Sequence, residues 1–71
     1  MTTFHDWLIS QTEQDSAVGD IARDYAEAVS DGLHGEAIDA ADLRRLVGEV
    51  VGEGSDAYRA VDDVERAWRE L

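Results

Sequence analysis

The sequence predicts an all-α fold, a small bundle of four helices forming a single domain over residues 1–71. Three observations predict it. Apolar residues recur at three- and four-residue steps in four separate segments, the repeat of one helix face. Thr, Ser or Asp, the residues that cap helices, stand just ahead of these segments, and glycines close two of them. Proline is absent, and no repeat, low-complexity tract or linker divides the chain.

The first segment opens at Thr2 or Thr3, whose hydroxyl can accept from the backbone N–H groups of the opening turn. Phe4, Trp7, Leu8 and Gln11 then lie at i, i+3, i+4 and i+7, with Phe4, Trp7 and Leu8 turned inward and Ile9 at the margin. Asp6 suits the positive end of the helix dipole. A helix of about ten residues is marginal in isolation, so packing must hold it. His5, between Phe4 and Asp6, reads as a surface histidine.

After a polar connection over residues 12–15, Asp15 or Ser16 caps the central helix. Val18, Ile21, Ala22, Tyr25 and Val29 form its core face, while Asp20, Asp24, Glu27 and Asp31 form an acidic stripe on the other side. Gly19 inside a helix costs about 1 kcal/mol relative to Ala, so a neighbouring backbone or the Trp7 ring is expected to approach it closely. Gly32 is the expected left-handed stop.

Residues 31–36 are the least regular, with Leu33 expected to tuck down as an anchor and no place assigned to His34. A third helix capped near Asp39 carries Leu43, Leu46, Val47 and Val50 on one face. Gly48 weakens it, and Gly52 and Gly54 close it. Ser55 or Asp56 opens the last helix, whose seam is Ala57, Val61, Val64, Trp68 and Leu71. Arg59 with Asp63, Asp62 with Arg66, and Glu65 with Arg69 sit four apart on its outer side. Each such pair would contribute about 0.2–0.5 kcal/mol.

Composition bounds the function. Seventeen Asp and Glu face six arginines and no lysine, for a formal net charge of −11. Direct nucleic-acid binding needs clustered positive charge and is disfavoured, as is docking on an anionic membrane. A basic protein partner is favoured electrostatically. The absence of cysteine removes disulfides, thiolate chemistry and cysteine-based zinc sites. No apolar run approaches the roughly 20 residues that a membrane-spanning helix needs. With Asp6 interrupting the N-terminal apolar residues there is no secretory pattern, and a cytoplasmic location is expected.

Catalytic chemistry finds no constellation here. His5 and His34 are far apart in sequence and neither sits in a recognisable motif, so no enzymatic role is expected. The acidic pairs at Asp62–Asp63 with Glu65 and at Asp39 with Asp42 lack the alternating ligands and central glycine of a calcium loop. Neither metal nor cofactor is expected. Two features carry a possible function. The stripe Asp20, Asp24, Glu27 and Asp31 spaces carboxylates by about 5–6 Å, approaching the spacing of nucleic-acid phosphates. Tyr58, off the main seam of its helix and next to Arg59, is the expected exposed aromatic contact.

Phe4-x-x-Trp7-Leu8 with Gln11, then Asp15, then Val18-Gly19-Asp20-Ile21-Ala22-x-Asp24, resembles the N-terminal half of the YozE-like bacterial family. Ala67-Trp68 looks like that family's ending. The chain departs from the pattern after the second helix, where Leu33-His34 replaces an aromatic–proline step. The resemblance implies a fold similar to the sterile alpha motif (SAM) and carries no functional residues with it. SAM-like folds serve protein–protein, self-association or nucleic-acid binding, an analogy at the level of fold.

The sequence thus points to a non-enzymatic protein–protein interaction module whose partner is a basic surface or a second copy. The alternative is an acidic mimic of nucleic acid that inhibits a DNA-binding protein.

Overall fold

A computed structural model describes residues 2–71. Four helices follow one another: α1 (Phe4–Ser10), α2 (Ala17–Ser30), α3 (Ala40–Val51) and α4 (Asp56–Arg69), with a 3-10 turn at Gln11–Glu13 after α1. No strand occurs among the described residues, so the all-α bundle is the observed architecture.

Each helix starts where a short polar side chain can satisfy its open N–H groups. Thr3 Oγ1 accepts from Asp6 N–H at 3.1 Å, Asp39 Oδ1 from Asp42 N–H at 2.8 Å, and Ser55 Oγ from Tyr58 N–H at 3.1 Å. Ser16, not Asp15, caps α2. That helix ends in a left-handed turn at Gly32, φ +76°. Gly32 N–H donates to Val29 and Leu33 N–H to Ala28, a paired closure that consumes two open carbonyls.

The core gathers the inward faces of all four helices. Leu8, Leu43, Val61 and Val64 are fully buried. Beside them Phe4, Trp7 and Trp68 form an aromatic cluster joining α1 to α4. The Trp7 and Phe4 rings each lie 5.3 Å from the Trp68 ring, the Phe4 pair edge-on. Such pairs contribute about 0.5–1.5 kcal/mol beyond the area they bury. Gly19 is buried because the chain folds back on α2: a Cβ there would stand 1.9 Å from the Gln14 carbonyl oxygen. The close neighbour is therefore backbone and not the Trp7 ring.

Four expectations need correction. Leu33 is 64% exposed, and Ala37 fills the inward position of the connection instead. The turn at Gly32 points Leu33 outward. Leu71 lies beyond the last turn of α4 and is exposed, so the seam ends at Trp68. Val50, near the open end of α3, is half-exposed at 47%. The pairs on α4 also re-partner. Glu65 does meet Arg69 at 2.6 Å, but Arg59 turns back to Asp56 at 2.6 Å and Arg66 to Asp63 at 3.7 Å. Asp62 is taken by Arg44 of α3 at 2.5 Å, since the packing of α3 on α4 brings that guanidinium within reach of Asp62 and Glu65.

Candidate functional site

Asp20, Asp24 and Glu27 lie exposed on α2 and Asp31 exposed at its C-cap, as the periodicity requires. What the structure adds is how charge is distributed around them. Every arginine is engaged within the chain: Arg23 with Asp20, Arg44 with Asp62 and Glu65, Arg45 with Asp42 and Glu49, Arg59 with Asp56, Arg66 with Asp63, and Arg69 with Glu65. The hydrogen bond that Arg45 donates to Asp42 raises its affinity for its proton, and the bond that Arg44 donates to Asp62 does the same there. Asp24, Glu27 and Asp31 form no ion pair among the described residues. The uncompensated part of the stripe is thus the C-terminal half of α2 and its cap residue Asp31.

Beside that strip runs an apolar cleft of about 80 Å³. Ile21 and Ala28 of α2 form one wall, and Val47, Val50 and Val51 of α3 the other. Val50 and Val51 are 47% and 51% exposed, so the cleft opens directly to the surface. Asp24 and His34 supply its polar rim. A second depression between α2 and the start of α4 adjoins it, shares Ile21, Asp24 and Ala57, and adds Asp20 and Asp56. Asp24 therefore stands where the acidic strip and the apolar cleft meet.

The Tyr25 ring also contributes to the cleft, but its hydroxyl is occupied on the other side. Ala37 N–H donates to it at 2.8 Å, and His5 Nδ1 lies 2.5 Å away. On the other edge of the imidazole, Nε2 lies 3.8 Å from Glu36 Oε2. His5 is therefore half-buried in a hydrogen-bonded node and is not a surface histidine. Nothing in a separation of twenty residues announces such a pair. Burial, followed by the nearby charges of Glu36 and Asp42, pushes the Tyr25 phenol above its ordinary value, against the opposing bond from Ala37. A phenol held neutral in this way ties α1, α2 and the α2–α3 connection together. It is poorly suited to act as a base near neutral pH.

Tyr58 is half-buried, which corrects its expected exposure. Its ring rests against α3 at Gly48, where a Cβ would approach Cε2 to 3.2 Å, and the Arg44 guanidinium carbon sits 5.6 Å from the ring centroid. The missing side chain at Gly48 makes room for the ring. Among the described residues no three His, Asp or Glu side chains converge as metal ligands, and no helix is long and apolar enough to cross a membrane.

Compared with known proteins, the chain matches no family model, no curated protein and no solved structure.

Proposed function

We propose that this chain is a non-enzymatic helical module that binds a basic partner protein through the α2 face. One observation carries the reading. All six arginines are neutralised internally, yet among the described residues Asp24, Glu27 and Asp31 stay unpaired beside an open apolar cleft. Uncompensated charge next to exposed apolar surface is what a partner of opposite charge complements. The resemblance of residues 4–24 to the YozE-like family supports a SAM-like arrangement of the bundle.

A second reading, an acidic mimic that occupies the basic groove of a DNA-binding protein, is favoured by the rigid spacing of the stripe along one helix. Capture on the tagged protein from native cells, washed at low and at high salt, separates the two. The module reading expects a basic protein whose retention falls with Asp24→Asn plus Glu27→Gln and which DNA does not displace. Displacement by DNA selects the mimic. Retention unchanged by the double variant refutes both.

A further inference from the structure

We infer that the cleft between α2 and α3 takes one apolar side chain from a basic amphipathic helix of the partner, with Asp24 pairing a cation one turn away on that helix. The inference rests on the module reading and makes it specific. A cleft of about 80 Å³ suits a single aliphatic side chain, given that about 150 Å³ holds a benzene molecule. Its walls, Ile21, Ala28 and Val47 with the exposed Val50 and Val51, are aliphatic, and the hydrogen-bonding side chains Asp24 and His34 stand at its rim.

Charge selects the occupant. Asp24 and its neighbours Asp20, Glu27 and Asp31 face solvent along one edge, and the nearest cation on that helix, Arg23, is already joined to Asp20. Arg23 also donates to the carbonyls of Thr12 and Gln14 at 2.8 and 3.1 Å, which holds it away from Asp24. A second copy of the chain is disfavoured, because a two-fold contact would set the same acidic strip against itself. An amphipathic helix places apolar and charged side chains three or four residues apart, so an anchor in the cleft brings a lysine or arginine over α2.

The probe is a synthetic amphipathic helix of leucine and lysine about four turns long, with a control peptide in which glutamine replaces every leucine. Binding to the ¹⁵N-labelled protein is followed by amide shift changes and by titration. The expected result is a cluster of shifts at residues 24, 28, 47, 50 and 51 with the leucine peptide. Val50→Ser with Val51→Ser should weaken that peptide at least about tenfold, or about 1.4 kcal/mol, and leave the control peptide unchanged. These valines are already half-exposed, so the variant keeps its fold, as its own spectrum verifies. Shifts elsewhere, or equal binding by the double variant, overturn the cleft assignment while leaving a basic partner for the module. Failure of both peptides to bind at low salt overturns the module reading with it. Sedimentation as a dimer that the same double variant dissolves would assign the cleft to a second copy and overturn the proposal.

Discussion

Replacing Gly19 by alanine tests the close approach of the Gln14 backbone to α2. Helix propensity alone favours the change by up to about 1 kcal/mol. The geometry opposes it. The new Cβ would meet the Gln14 oxygen at 1.9 Å and its carbonyl carbon at 2.7 Å, so the backbone would have to retreat by about 1.5 Å to reach ordinary contact. That carbonyl accepts from Arg23 at 3.1 Å, and a hydrogen bond from a charged donor contributes about 1.5–3 kcal/mol. Overpacking adds about 1–3 kcal/mol. The net expectation is a loss of about 2–4 kcal/mol, a large share of the stability of so small a domain. Thermal melting followed by circular dichroism should show Tm falling by about 10–30 °C. Gly48→Ala is the matched control. The nearest atoms to its Cβ would belong to the Tyr58 ring and the Glu53 side chain, which can shift, so its melting point should move far less. A Gly19→Ala protein as stable as the parent would refute the packing of residue 14 on α2.

Trp7→Ala should destabilise by about 3–5 kcal/mol and largely unfold the domain in a urea titration, because the ring fills the α1–α4 contact; a native-like midpoint would remove it from the core. Tyr25→Phe strips the buried Ala37 N–H of its acceptor and should cost about 1–3 kcal/mol; an unchanged midpoint would mean that water replaces the hydroxyl. The Asp42 carboxylate is held below its ordinary value first by the hydrogen bond from Arg45 and then by that from Ile38 N–H. A lowered folded value means stability that is complete above the unfolded value, near 3.8, and lost as the pH falls through the folded one. Melting below about pH 4 should therefore be less steeply pH-dependent in Asp42→Asn; identical slopes would deny the linkage.

Local chemistry made most of the fold legible. Caps act within three residues, so Thr3, Asp39 and Ser55 could be read from their positions, and the inward faces of α2 and α4 follow a fixed period. Leu33 was misread because its direction depends on the left-handed turn at Gly32, not on its own hydrophobicity. Of the three pairs expected on α4, Glu65–Arg69 forms; Asp62 is lost to Arg44 because that arginine belongs to another helix, and spacing along one helix is blind to it. The same holds for the candidate site. The stripe on α2 is a pattern within one segment, but the cleft exists only where Val47, Val50 and Val51 of α3 stand opposite Ile21 and Ala28. Asp24 was visible as a charge and invisible as a rim.

The ring cluster of Phe4, Trp7 and Trp68 also bears on how the molecule opens. Helices at the two extremes of a bundle ordinarily fray first, their amides exchanging with solvent while the centre stays closed. Here α1 and α4 clasp one another through those rings, so neither can peel away without exposing the other's aromatic face. Loosening either helix is then expected to be a step toward global unfolding, so that amides of α1 and α4 should exchange together with those of the centre.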